Sequence, residues 1–219
     1  MRLFITIILL SLLNAKAVES PLKVHKNAAI IYFGAYDPPA PTNWMSIPEP
    51  ARSNIIMHLK IRLGDNFYSK LSLVGGQIVD IEMLHKKYPE SKNYEWEIPA
   101  YLLHLRFSFP ELGIEYYDAC IECRSDGSVI HEIDLPEIAK HPMRGHFIST
   151  SKAVEAARQN GFDEAKATAE IDYRADVGIC VFMFRQMTRH DGAGLFFKCI
   201  DIDAHTGKVS KIYESKAME

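Results

Sequence analysis

The chain has 219 residues, of which 47% are hydrophobic and 24% are charged. These are the proportions of an ordinary folded protein with room for one large domain or two small ones, and they exclude a disordered chain, a collagen and a coiled coil. The formal net charge of −3 and the isoelectric point near 6.3 argue against a nucleic-acid or anionic-membrane binder, because either would need a basic surface.

Residues 1–17 have the pattern of a secretory signal peptide. A single basic residue, Arg2, precedes an apolar stretch at 3–13, and Ala15 and Ala17 supply the small residues of a cleavage site. An apolar stretch of this length reaches only about half of the roughly 30 Å hydrocarbon core of a bilayer. We therefore expect cleavage after Ala17, which removes two basic residues and changes the formal charge from −3 to −5. The expected product is a soluble periplasmic or secreted protein without a membrane span.

Residues 18–49 combine a predicted strand with a proline-rich segment. The strand, at 27–33, is rich in β-branched and aromatic residues. Prolines then follow at positions 38, 39, 41, 48 and 50. Proline lacks the backbone N–H that helices and sheets use, so this segment is predicted to be either an extended linker or a segment packed on the surface of the next unit, and its Trp44 favours packing.

Residues 50–138 are predicted to form a first unit, a helix followed by antiparallel strands. Apolar residues recur at helical spacing over 50–63, with Pro50 suited to the first turn and Gly64 to the end. Strand composition follows at 67–73, 77–84, 96–109, 114–124 and 128–133. A Gly-Gly pair at 75–76 marks either a hairpin turn or a bulge in one long strand. The other connections are short, which requires antiparallel pairing.

Residues 146–219 are predicted to form a second unit with the same order of elements. Ser149 and Ser151 offer helix N-caps, and Gly161 provides the residue that commonly follows a helix end. Strands follow at 165–173, 178–188, 195–203 and 208–213. The fold class expected for the whole chain is therefore α+β.

The two units resemble each other at an offset of 79 residues. Identical residues that coincide at this offset include Arg106 with Arg185, Gly113 with Gly192 and Cys120 with Cys199. Similarity within one chain at a fixed offset is the signature of a repeat. We therefore expect two divergent copies of one α+β unit in tandem.

The last segment of the chain resembles the PepSY domain. A capped helix at 150–162 and two strands precede a strand that ends in an acidic position, a turn with Thr-Gly, then Lys-Val and a closing strand. The matching residues are Asp201, Asp203, Thr206, Gly207, Lys208 and Val209. The segment at 120–133 resembles a second, more divergent copy of this pattern, which lacks the Thr before Gly127.

The resemblance to PepSY implies a fold and a role. The fold is a tandem of cystatin-like units, each with one helix packed on a curled antiparallel sheet. The role is noncatalytic and lies outside the cytoplasm: inhibiting or chaperoning a peptidase, or binding an envelope protein. No catalytic, cofactor-binding or metal-binding residue and no cofactor are implied. The expected partner is a polypeptide, which an exposed strand edge would bind by β-addition.

The four cysteines, Cys120, Cys123, Cys180 and Cys199, are candidates for disulfides in an oxidising compartment. Cys120 and Cys123 are three apart on a predicted strand, so they point to opposite faces. Cys180 and Cys199 lie on the two arms of a predicted hairpin, where they could be cross-strand neighbours. The interpretation we favour is that all four are small buried hydrophobic residues.

Two other functions stay open at this point. His141 and His146 flank a proline and a glycine between the two units, and a small metal-dependent hydrolase could use them. A metal site would need a third converging ligand, which the sequence spacing does not supply. The second alternative is a carrier that holds a small apolar ligand between helix and sheet.

Arg106 and Arg185 occupy equivalent positions on the two predicted hairpins, and their neighbours along the strands are apolar. An arginine in such a place either binds a carboxylate of a ligand or forms a structural salt bridge. We expect the salt bridge, with Glu122 or Asp201 on the next strand as examples of partners.

Overall fold

Residues 22–28, 38–191 and 194–217 are described here by a computed structural model. The predicted signal peptide at 1–17 lies outside these residues, as do residues 29–33 of the predicted N-terminal strand. Within them, three α-helices and two β-sheets form an α+β fold. The first half contains β1 (Val24–Lys26), α1 (Ala51–Tyr68), β2 (Ser72–Ile78), α2 (Ile81–Lys87), β3 (Tyr101–Phe109), β4 (Ile114–Cys123) and β5 (Val129–His131). The second half contains α3 (Thr150–Gln159), β6 (Ala167–Arg174), β7 (Ile179–Asp191), β8 (Gly194–Asp203) and β9 (Val209–Ala217).

Helix α1 forms because one stripe of its surface is apolar and buried. The stripe consists of Ile55, Leu59, Leu63 and Phe67, which recur every fourth residue and are at most 3% exposed. The backbone leaves the helical conformation at Gly64 (φ 75°, ψ 151°), where the sequence predicts the end. A further turn nevertheless follows to Tyr68, because Phe67 extends the stripe and packs edge-on against Phe107 of β3, with ring centroids 5.5 Å apart.

The segment after α1 corrects two predicted strands. The strand predicted at 67–73 is wrong at its start, where the chain is still helical. Strand β2 then runs through the Gly-Gly pair with a register shift between Leu73 and Gly75, so the pair marks a bulge and not a hairpin turn. The strand predicted at 77–84 is wrong beyond Ile78. Helix α2 begins at Ile81, because the Asp80 side chain caps it by accepting the N–H of Met83 at 2.9 Å.

The first sheet has five strands in the order β1-β4-β3-β2, with β5 also paired to β4. Strands β2 to β5 form an antiparallel meander, whereas β1 is parallel to β4. Strands β1 and β5 share one edge of β4, and Asp134 fills the gap between them. Its Oδ1 accepts the N–H of Cys120, and its own N–H donates to the Cys120 carbonyl at 3.3 Å.

The second sheet is an antiparallel meander in the order β6-β7-β8-β9. The predicted helix before it is confirmed: the Ser149 hydroxyl accepts the N–H of Lys152, and α3 begins at the next residue. Its buried residues, which include Ala153 and Ala157, face β7 and β8. Strand β9 extends to Ala217, four residues beyond its predicted end.

Both halves therefore run from a helix into four antiparallel strands in meander order. Their central hairpins, β3–β4 and β7–β8, differ in register by two residues. Arg106 lies opposite Asp118, but Arg185, its counterpart at the offset of 79, lies opposite Cys199, which is the counterpart of Cys120 and not of Asp118. Strand β1 lies beside β6 although the two share no ladder. The buried apolar residues of both halves belong to one continuous cluster, so the two predicted units share a core.

Candidate functional site

A charged cluster lies where the two sheets meet, and we call it the seam; it consists of Lys26, Tyr117, Asp134, Asp172 and Cys180. Lys26 ends β1 and lies over the ring of Tyr117, with Nζ 4.7 Å from the ring centroid. Its ammonium contacts the Tyr117 hydroxyl at 3.1 Å, Asp172 Oδ1 at 3.2 Å, and Asp134. An ammonium has three N–H donors, so these three acceptors satisfy it.

The electrostatics of the seam keep Lys26 charged. Burial alone would lower the pKa of Lys26, but the carboxylates of Asp134 and Asp172 outweigh it and raise the pKa above its ordinary value. A cation held in this way is a structural group and not a nucleophile. Asp134 belongs to the first half and Asp172 to β6, so the cluster links the two halves.

The hydroxyl and thiol of the seam are also fixed. Burial raises the pKa of Tyr117 well above its ordinary value, and its hydroxyl donates to the Asp134 carbonyl at 2.8 Å. Burial likewise raises the pKa of the neighbouring Cys180 thiol. Neither group is ionised near neutral pH, so the seam contains no activated nucleophile.

His205 anchors the backbone beside the seam. The N–H of Cys180 donates to His205 Nε2 at 3.1 Å, and His205 Nδ1 lies 3.0 Å from the carbonyl oxygen of His146. A ring that accepts at Nε2 and donates at Nδ1 is neutral. Burial lowers the pKa of His205, which favours the same neutral form.

All four cysteines are free thiols, and three of them are buried. The alternative in which Cys180 and Cys199 are cross-strand neighbours is wrong. In the β7–β8 ladder the partner of Cys199 is Arg185, while the Cys180 carbonyl accepts the N–H of Ala204 at 2.9 Å, beyond the end of β8. Burial raises the pKa of Cys123 to about 12, so its thiol is inert at neutral pH.

His141 and His146 flank a short 3-10 helix, Pro142–Gly145, between the two halves. His146 lines a cleft of about 260 Å³ whose other polar residues include Asp65 and Lys70. In the part of the chain that the structure describes, no three His, Cys, Asp or Glu side chains converge as metal ligands would. The geometry therefore gives the hydrolase alternative no support.

A carrier would need an enclosed apolar space between helix and sheet. The apolar cavity at this place is lined by residues that include Val154, Phe162 and Phe184, and its volume is about 10 Å³. That is about the space that one water molecule needs. This cavity is too small for an apolar ligand.

The two predicted arginine salt bridges form, but with partners other than those suggested. The pairs are Arg106 with Asp118, 2.6 Å apart, and Arg185 with Glu170, 3.0 Å apart. Asp201 instead binds Arg174. Asp118 lies directly opposite Arg106, whereas Glu170 is two residues along β6 from Thr168, the residue opposite Arg185.

The last strand of the second sheet has a free edge. Strand β9 pairs with β8 and with no other described strand. Along its nine residues, the N–H and C=O groups that face away from β8 therefore have no ladder partner in the described ranges. Such a row of groups is a template for another strand. We call residues 209–217 with these outward groups the β9 edge.

Two apolar residues of the β9 edge are left half-covered. Ile212 lies opposite Ile200 and Val209 opposite Ile202, on the face of the sheet that α3 covers. Ile200 and Ile202 belong to the core, whereas Ile212 is 48% exposed and Val209 is 39% exposed. The helix packs over β7 and β8, so apolar surface continues outwards to the edge.

A rigid polar network supports the opposite face beside the edge. Arg174 donates through Nε to Asp201 at 2.9 Å and through Nη2 to the Tyr213 hydroxyl at 3.0 Å. Burial opposes ionisation of Arg174, but Asp201 outweighs it and raises the pKa. These side chains line a cleft of about 240 Å³ that Lys211 also borders. Tyr213 is therefore held in place before any partner binds.

The sequence analysis missed the seam entirely. Lys26 and Asp134 are 108 residues apart, and Asp172 lies on a strand of the other half. A single lysine in a three-residue strand matches no motif, so no sequence signal could have joined these residues. The edge, in contrast, follows from β9 being the last strand of a meander.

No protein-family model, no curated protein and no solved structure matches this chain. None of the helices within the described ranges is both long and apolar enough to cross a membrane. The β9 edge is therefore the feature of the structure that bears on function.

Proposed function

We propose that this protein is an exported, noncatalytic binding protein that holds an extended segment of a partner polypeptide against the β9 edge. The observation that carries the proposal is the row of unpaired backbone groups along a nine-residue strand. In β-addition, main-chain hydrogen bonds supply the affinity and side-chain pockets supply the specificity. A peptidase or another envelope protein is the partner class, to be inhibited or chaperoned.

The β9 edge is already ordered in the free protein. Strand β9 is already paired to β8 along its length, and Tyr213 is already fixed by Arg174. Binding therefore orders the incoming segment alone, which lowers the entropic cost of association. A strand that still had to form would bind more weakly with the same contacts.

In this proposal the two halves are tandem cystatin-like units of PepSY type. Both run from a helix into a four-stranded meander, and the first unit additionally carries β1 and α2. The residues of the resemblance also form a closed turn. The Asp203 carboxylate accepts the N–H of His205 at 2.8 Å and the hydroxyl of Thr206 at 2.7 Å.

The test uses the mature chain, residues 18–219, and a displayed library of random peptides of about ten residues, long enough to cover one strand. Enriched peptides are titrated against the wild type and against two variants, Glu214→Pro and Ser215→Pro. Adjacent residues of a strand direct their N–H groups to opposite sides. One proline therefore removes a bond to β8, and the other removes an outward donor.

The proposal predicts that the outward variant keeps the wild-type circular dichroism spectrum and loses the peptides. The other variant, in which proline removes a hydrogen bond to β8, is expected to lose its fold. The variant that unfolds therefore identifies which of the two N–H groups points to β8. Binding that persists unchanged in the folded variant would overturn the proposal. A library that yields no peptide for the folded wild type would overturn it as well.

A further inference from the structure

We infer that the segment bound by the β9 edge alternates acidic and apolar residues, an inference that rests on the proposed function and narrows its partner class. Three features of the edge point to this chemistry: lysines without a salt bridge, half-exposed apolar residues, and the two-residue period that a strand imposes on both.

The edge is basic on a chain that is acidic as a whole. Lys208, Lys211 and Lys216 lie along or next to it against the single acid Glu214, whereas the formal net charge of the chain is −3. None of these three lysines forms a salt bridge with a carboxylate of the described residues. Ammonium groups that no carboxylate neutralises attract a segment that carries carboxylates.

The hydrogen bonds of the acid opposite Lys211 explain why this lysine forms no salt bridge with it, although its Nζ lies over the Tyr213 ring at 5.1 Å from the centroid. Asp201 lies directly opposite Lys211 on β8. Both carboxylate oxygens of Asp201 are already occupied, Oδ2 by Arg174 and Oδ1 by the Tyr213 hydroxyl at 3.3 Å. The charge of Lys211 is therefore not neutralised by Asp201, and its side chain is exposed on the strand next to which an added strand would lie.

The apolar residues lie on the other face of the same strand. Val209 and Ile212 point to the α3 side, as Glu214 and Lys216 do farther along the strand, and Lys211 points to the opposite side. Residues of an added strand alternate between these faces with a period of two. A residue next to Ile212 therefore meets apolar surface, and its neighbour along the segment meets Lys211.

The same charges disfavour a second copy of this chain as the occupant. Two β9 edges side by side would bring the lysines of one copy near those of the other. Lysines on edge strands are a common means of preventing such pairing. A segment that alternates glutamate or aspartate with valine or isoleucine satisfies both faces instead.

The experiment compares fluorescein-labelled peptides of about ten residues, the length of one strand. One peptide alternates Glu and Val, one alternates Lys and Val, and one has the Glu and Val residues in two separate blocks. Binding to the mature chain is measured by fluorescence anisotropy. We expect the alternating acidic peptide to bind about tenfold more tightly than either of the others, and to lose this advantage at about 0.5 M salt.

Charge reversal localises the effect. Lys211→Glu is expected to weaken the alternating acidic peptide about tenfold, whereas Lys92→Glu, at an exposed position of the first half, leaves its affinity unchanged. Equal affinity for the acidic and basic peptides, lost together in the outward proline variant, would overturn this inference and leave the proposed function standing. If no peptide of any pattern binds, the proposed function itself is wrong.

Discussion

The seam and the β9 edge both carry lysines, but they differ in whether their polar groups are used. At the seam, the Lys26 side chain is 15% exposed and each of its N–H donors has an acceptor. At the edge, Lys211 is exposed, its ladder neighbour Asp201 is bound elsewhere, and half of the backbone groups of β9 have no ladder partner among the described strands.

This difference separates groups that maintain the fold from groups that are available to a partner. A buried ammonium without acceptors would cost several kcal/mol, so the seam has to be satisfied within the chain. The edge groups are hydrated in the free protein, and exchanging water for a peptide strand costs little. The predictions below test this division, and their effects on stability decrease from the seam to the edge.

Removing the cation of the seam should have the largest effect on stability. Lys26→Met leaves Asp134 and Asp172 facing each other across the seam without a counter-charge, and we expect the free energy of unfolding to fall by about 3 kcal/mol. Urea unfolding measures it. The matched control is Lys23→Met. The Lys23 side chain forms a salt bridge with Glu115 and is 68% exposed, so this variant should change the free energy of unfolding by less than about 0.5 kcal/mol. Equal effects of the two variants would contradict the assignment of the seam as structural.

Removing one hydroxyl from the seam should have the next largest effect. Tyr117→Phe leaves the Asp134 carbonyl and one N–H of Lys26 without a partner in a buried place, which should cost about 1–2 kcal/mol. Tyr116→Phe is the control on the next residue, because its hydroxyl bonds to Asn27 at an exposed position. Thermal and urea unfolding of both variants would show whether burial decides the cost.

Acid should weaken the fold through His205. Burial lowers the pKa of His205 in the folded chain below the value of about 6.5 expected in the unfolded chain. Its stabilising contribution is therefore complete above about pH 6.5 and is lost as the pH falls through the folded-state pKa. Urea unfolding at a series of pH values measures this slope. His205→Gln should flatten it, although His104, whose pKa is also lowered by burial, retains part of it. A slope unchanged in His205→Gln would show that this ring does not carry the effect.

Changes at the edge should affect stability least. Ile212→Thr keeps a β-branched residue at a position that is 48% exposed, and we expect the free energy of unfolding to change by less than about 0.5 kcal/mol. The alternating acidic peptide should nevertheless bind more weakly, because an apolar contact is lost. A large loss of stability would mean that Ile212 belongs to the core and is not part of a binding surface.

Local signals in the sequence predict those parts of the fold whose causes are local. The cap at Ser149 and the periodic apolar residues of α3 lie within ten residues of each other, and the structure has that helix where the pattern predicts it. The same kind of signal was overlooked at Asp80, which caps α2 in a stretch whose composition favours a strand. Propensity was outweighed there by a side chain that accepts a single N–H.

Long-range features of the fold have no such signal. The partner of Arg106 depends on the register of the β3–β4 ladder and the partner of Arg185 on that of the β6–β7 ladder, and neither register could be chosen correctly in advance. The seam joins residues from β1, from the loop after β5 and from β6, and no spacing along the chain marks it. The candidate site was easier to anticipate, because the terminal strand of an open meander leaves one side unpaired.

Amide hydrogen exchange along β9 tests the central claim most directly. In the free mature chain, alternate amides between Val209 and Ala217 should exchange rapidly, because they face away from β8, while the amides between them are protected. The alternating acidic peptide should protect the rapid set and leave the strands of the first sheet unchanged. Uniform protection of β9 in the free protein, or protection by the peptide at any other strand, would show that this edge does not hold the partner.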